Sequence, residues 1–184
     1  INLERKLEGI AEETQNDISN CESELIKSLK SLKDHLSESK SVTELFDLIS
    51  GEDFQSIGVG IYDESNKIIA WNNLHSLKPE RMKELLTHQT EGDSFFSSSS
   101  LISSLSIFEK LDEYLIYLSI PLEKHYKIRN EYFSELNLSH NLSIRTNSEL
   151  KIIYDNNGFL ENYGKPKFLF PIENVKKNVI GYIY

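Results

Sequence analysis

Apolar side chains in the first forty residues recur at a spacing that only a helix accommodates. Leu3, Leu7, Ile10, Thr14, Ile18, Cys21, Leu25, Leu29, Leu32 and Leu36 follow one another in steps of four, three and four. The pattern restarts every eleven residues, at positions 3, 14, 25 and 36. That repeat corresponds to about 3.67 residues per turn, so the stripe runs nearly straight along the helix or drifts slightly right-handed. Glu, Lys, Asp, Ser and Asn fill the other faces. At about 1.5 Å per residue a helix over residues 1–39 is on the order of 55 Å long, more than a domain of this size requires. Part of it is expected to pack on its own domain, and part to project or to pair with a second copy.

The pattern then shortens. Ser41 followed by Glu44 has the form of a capping box and predicts a short helix, with Gly51 beyond its end. In residues 56–73, SIGVGIYDESNKIIAWNN, Ile57, Val59 and Ile61 alternate with Gly58, Gly60 and Tyr62, the period of a strand. Asp63, Ser65 and Asn66 supply turn chemistry, and residues 67–71 run back as the partner strand. Pro79 opens a third helix with Met82, Leu85 and Leu86 on its apolar side.

Residues 95–121 form a second β region, with Leu101, Leu105 and Ile107 favouring one face and serines opposite. Within it residues 114–120 read as a strand that Pro121 ends. A helix is expected over residues 125–136, then polar, irregular chain to 147 with room for another helical turn. Strands follow at 150–154, 167–170 and 178–184, with a turn at Asp155, Asn156, Asn157 and Gly158. Helices and mainly antiparallel strands in this order predict an α+β fold: residues 1–39 a long N-terminal helix, residues 40–184 a sheet domain flanked by helices.

Composition narrows the classes of partner. The chain has 184 residues, 39% of them hydrophobic, with nine Phe, nine Tyr and one Trp, enough for a real core. A net charge of −9 argues against nucleic acid or an anionic membrane surface as the main partner, since both need basic patches. A single cysteine, Cys21, excludes an internal disulfide and a multi-cysteine metal site. No apolar run reaches the roughly 18 residues of a membrane span. The chain opens at Ile1 and stops at Tyr184 inside an expected strand, so it reads as a piece of a longer protein.

Motifs for catalysis are missing. His75, His88, His125 and His140 form neither H-x-x-x-H nor H-E-x-x-H, so they read as surface histidines and no metal site is expected. There is no G-x-S-x-G, no placed S-x-x-K, no G-x-x-x-x-G-K-S/T and no G-x-G-x-x-G. No enzyme activity and no cofactor are expected of this stretch. Asn137-Leu138-Ser139 and Asn141-Leu142-Ser143 are formal glycosylation sequons of little weight.

The hairpin, a small apolar strand, D-x-x-N and an apolar strand ending in Trp-Asn, resembles the first hairpin of PAS-like and Cache-like sensor domains of bacterial membrane-bound signalling proteins, sensor histidine kinases among them. The order of elements over about residues 40–184 resembles that group as well. The resemblance implies a pocket between the sheet and the helices or loops over it, with Tyr62, Trp71 and Asn73 on the hairpin. Tyr114 and Tyr117 on the central strand, and Tyr126 and Arg129 just beyond it, would complete the site. Trp and Tyr offer an apolar wall with a polar tip, and a guanidinium at Arg129 grips a carboxylate at two points. Read from the residues alone, Trp71 and the tyrosines are equally core aromatics, and Arg129 a surface residue of a helix.

The expectation is therefore an extracytoplasmic (periplasmic) input domain of an inner-membrane receptor, a histidine kinase above all. A small-molecule ligand, a homodimer through the N-terminal helix and flanking transmembrane helices go with that reading. Its rivals are a cytoplasmic GAF- or PAS-like regulatory module, a structural or dimerisation domain that binds no ligand, and, third, a small hydrolase.

Overall fold

A computed structural model describes residues 3–36, 41–72, 77, 79–99, 101–124, 138–146, 150–154 and 168–184. Helix α1 (Leu3–Leu36) is followed by α2 (Val42–Ile49), a 3-10 turn (Glu52–Phe54), β1 (Gly58–Tyr62) and β2 (Ile68–Trp71). Next come α3 (Pro79–His88), β3 (Phe95–Ser98), β4 (Ile102–Leu111) and β5 (Tyr114–Lys124). The chain closes with α4 (Leu138–Thr146), β6 (Ile152–Ile153), β7 (Phe170–Glu173) and β8 (Val179–Ile183). The strands form a five-stranded sheet in the order β2-β1-β5-β4-β3 and a three-stranded sheet in the order β6-β8-β7. The fold is α+β, a long N-terminal helix followed by antiparallel sheet. The expected helix at 125–136 and the turn at 155–158 lie outside the described residues.

Two compact units share the chain. One comprises Ile1–Cys21, Phe96–Leu105 and Pro121–Tyr184, the other Glu22–Phe95 and Ser106–Ile120. Helix α1 serves both. Leu7, Thr14 and Ile18 are buried in the first unit, and Leu25, Leu29, Leu32 and Leu36 in the second. The eleven-residue stripe is thus taken up by the chain's own cores, and the outer face of α1 is polar apart from the exposed Ile26. Glu22 stands beside the stripe and is buried, where its carboxylate accepts a 2.6 Å bond from the Ser94 hydroxyl. Lys33 ties the far end of α1 to Glu109 on β4.

In the second unit, α2 starts as the capping box predicts: the Ser41 hydroxyl accepts from Glu44 N–H, and the Glu44 carboxylate accepts from Ser41 N–H. The β1–β2 turn is held by Asp63, whose side chain accepts from the N–H groups of Ser65 and Lys67, both at 2.9 Å. The first unit repeats this design at the β7–β8 turn. There the Asn174 side chain accepts from Lys176 and Asn178 N–H, both at 3.0 Å. Each turn also needs one residue at positive φ, Asn66 (60°) in one and Lys177 (65°) in the other.

The three-stranded sheet of the first unit is finished by side chains at both edges. On β7 the Gln15 amide donates to the Glu173 carbonyl at 2.7 Å and accepts from its N–H at 2.8 Å. On the β6 side the Ser143 hydroxyl bonds both backbone groups of Leu150, and the Ser139 hydroxyl accepts from Ile152 N–H. Gly181 on β8 is required by close approach: a Cβ there would lie 2.5 Å from the Ile153 carbonyl oxygen and 2.6 Å from the Phe96 ring.

Four expectations are corrected. Residues 138–146, expected within polar, irregular chain, form the helix α4, whose first turn is held by the Glu123 carboxylate accepting from Ser139 N–H. Strand β5 runs through Pro121 to Lys124. Pro121 lies past Ser119, the last β5 residue paired with β1, so its missing N–H leaves no β1 carbonyl without a donor. Leu101 sits in the β3–β4 turn and is exposed, because Ser99 takes the local N–H groups and turns the chain there. The strand expected at 167–170 is β7 at Phe170–Glu173, with Pro171 on an edge strand where a ladder donor is dispensable.

Lysine has no side-chain means of relieving the left-handed conformation at Lys177, whereas asparagine already holds the equivalent place at Asn66. The Glu173 partner of Lys177 is a surface ion pair of small worth. Lys177→Asn is therefore expected to raise stability by roughly 0.5–1 kcal/mol, read as a higher urea midpoint at unchanged slope.

Candidate functional site

Strand β1 places the hairpin residues. It is flanked by β2 and β5, and residues directly opposite one another in antiparallel strands point to the same face. Gly60 faces Trp71 on one side and Tyr117 on the other. Two residues along, Gly58 faces Ser119, and at the opposite end Tyr62 faces Leu115. One face of the sheet thus carries Trp71, a bare glycine and Tyr117 in a row, with Gly58 and Ser119 beside it. The other face carries Val59, Ile61, Ala70, Ile116 and Leu118, all buried and wholly apolar.

Tyr62 and Tyr117 come together. Both are buried in a cluster with Met82, Phe95, Phe108 and Leu115, onto which Ile68, Leu77, Leu85 and Leu86 pack. Phe95 and Phe108 meet edge to face at 6.1 Å. The Tyr117 hydroxyl shares a 2.8 Å hydrogen bond with Ser106, so a polar pair lies within this apolar cluster. Burial, and then the neighbouring Tyr117, hold the Tyr62 phenol well above its ordinary range. At 0% and 1% exposure these two tyrosines are part of the packed core.

The remaining candidates separate. Trp71 lies on the edge strand β2 and is 48% exposed, its ring meeting Phe46 of α2 edge to face at 5.4 Å. Tyr114 is half-buried at the start of β5, its phenol raised chiefly by a hydrogen bond to Glu113. Asn73, Tyr126 and Arg129 lie outside the described residues.

Asn72 had no assigned role in the sequence, and it turns out to be the polar centre of the hairpin's base. Its carbonyl oxygen accepts from Val59 N–H at 3.0 Å, and its amide donates to the carbonyls of Ile57 at 2.7 Å and Phe54 at 3.4 Å. The side chain carries the β1–β2 ladder one step beyond Trp71 and fastens it to the preceding loop. The sequence signal that could have found it is an asparagine directly following the apolar strand that ends at Trp71.

A second polar focus lies in the first unit. Buried Glu123 on β5 accepts from Ser139 N–H at the start of α4, a position that favours a carboxylate. Nearby, the buried Tyr154 hydroxyl lies beside Glu123 and Ser139. Its phenol is raised far above its ordinary range by burial first and the charge of Glu123 next. Among the described residues, no three His, Cys, Asp or Glu side chains are grouped to hold a metal ion. No helix among them is long and apolar enough to cross a membrane.

Asn72→Ala strands Val59 N–H and the Ile57 carbonyl in a buried place, and a loss of about 2–4 kcal/mol is expected on denaturant unfolding. The buried phenols set an alkaline limit. Their folded pKa values lie above the unfolded value of about 10, so below that pH both states keep the proton and stability is unaffected. Above it the unfolded chain ionises first and stability falls. Tyr62→Phe is expected to flatten that fall; an unchanged slope above pH 10 would refute the assignment. Compared with known proteins, the chain matches no family model, no curated protein and no solved structure.

Proposed function

We propose that this chain is the input domain of a bacterial membrane signalling receptor, of the PAS-like or Cache-like kind and located outside the cytoplasm. The observation that carries the proposal is the row Trp71–Gly60–Tyr117 on one face of the five-stranded sheet. Two aromatic side chains flank a position with no side chain, and Gly58 and Ser119 extend the small-residue floor. Gly58, Gly60, Tyr117 and Ser119 are buried, so a ligand would reach this floor by displacing side chains packed over it. Glycine within a strand weakens it and commonly marks a place where a ligand or another backbone comes close. The Tyr117–Ser106 hydroxyl pair supplies hydrogen-bonding capacity beside that floor.

Signalling would proceed by population shift. A ligand preferring one arrangement of the sheet face biases α1, whose apolar stripe packs into both units, and β8, the last strand of the chain. In the full receptor these two elements would continue toward membrane spans. Because the stripe of α1 is already buried, pairing of two copies through this helix would use its polar outer face.

A thermal-shift screen against amino acids, small organic acids and other metabolites tests the reading. A ligand at a hundred times its dissociation constant adds about 2.7 kcal/mol to stability. A stabilising compound whose effect is lost in Tyr117→Phe supports the sheet-face site. Stabilisation untouched by that change and by Trp71→Ala removes the site while keeping the sensor. Silence across the library shifts the reading to a domain that senses a protein partner.

A further inference from the structure

Around α2 and the edge strand β2, apolar exposure and charge combine in a surface that shares only Trp71 with the proposed ligand site. Val42 and Phe46 are four residues apart and share one face of α2. Val42 is 51% exposed, and Phe46 is half-buried against Trp71, itself 48% exposed. All three belong to the second unit, and among the described residues β2 has β1 as its only sheet neighbour. A Trp and a Phe held in a fixed edge-to-face pair, half open to water, are the kind of rigid aromatic anchor that dominates protein interfaces.

The chain that carries this patch is strongly acidic. Residues 41–66 contain Glu44, Asp47, Glu52, Asp53, Asp63 and Glu64 and no Lys, Arg or His. All six except the half-buried Asp63 are exposed. A second copy of the chain would bring the same acids against themselves, which disfavours self-pairing. The complementary occupant is a segment with an apolar side and a cationic rim.

We propose that Val42, Phe46 and Trp71 form a docking surface for a basic amphipathic segment of a partner protein, with Trp71 as its anchor and the acids of residues 41–66 as its collar. The proposal needs no small ligand and can fail or hold apart from the sensor reading, since Val42, Phe46 and the acidic collar lie outside the ligand row and only Trp71 is common to both.

Trp71 is the only tryptophan of the chain, so its fluorescence reports this surface directly. The test titrates the protein with a helical leucine–lysine peptide and, separately, with a leucine–glutamate peptide of the same pattern. The expected result is a saturable blue shift with the lysine peptide alone, weakened by added salt. Val42→Glu, and the pair Asp47→Lys with Glu52→Lys, should each weaken binding about tenfold or more. All three positions are exposed, and circular dichroism checks that the variants stay folded. No shift with the lysine peptide overturns the proposal, as does an equal response to both peptides or a response that survives Val42→Glu. A blue shift that grows with protein concentration alone would assign the surface to a second copy. One produced by phosphatidylcholine vesicles and not by the peptide would assign it to a lipid surface. Either also overturns the proposal.

Discussion

Everything in this molecule leans on the apolar stripe of α1. A helix whose buried positions drift around its axis can serve a core only over a few turns. An eleven-residue repeat nearly matches the natural pitch of a straight α-helix, so the stripe keeps its direction from Leu7 to Leu36. One helix can therefore supply Leu7, Thr14 and Ile18 to one compact unit and Leu25, Leu29, Leu32 and Leu36 to the other. Isolated helices are marginal in water, and the stability of this one comes from the burial of that stripe. Thr14, the one hydroxyl within it, is satisfied locally by bonding the Ile10 carbonyl.

Local chemistry was legible in the sequence and long-range placement was not. The α1 stripe, the Ser41–Glu44 capping box and the Asp63 turn all depend on residues a few positions apart, and each is found where the pattern puts it. The fate of the aromatics depends on which strands become neighbours. Tyr62 and Tyr117 are fifty-five positions apart, and only the pairing of β1 with β5 brings them into one cluster. A strand pattern says that Tyr62 points opposite to Ile61. It does not say whether that side meets a ligand or Phe108, and in the structure Tyr62 is core while Trp71, at an edge, is half open.

The same limit explains Asn72, Gln15, Ser139 and Ser143. Each looks like an ordinary polar residue of a loop or helix, and each completes a backbone ladder elsewhere in the chain. Gln15 and Glu173 are separated by 158 positions, so no local reading joins them. Their roles follow from one rule: buried backbone donors and acceptors must find partners, and where no strand is available a side chain takes its place.

Those side chains have a consequence beyond the residues they touch. An amide or hydroxyl that engages the N–H and C=O of an edge strand occupies the seat that a foreign strand would take. With Gln15 seated on β7 and two serines on the far side of β6, the three-stranded sheet is finite by construction. It offers little free template for strand addition, the common route from an open edge to fibrils. What looks like incidental polar decoration on two helices is thus a form of insulation, keeping a small sheet from growing into its neighbours in a crowded solution.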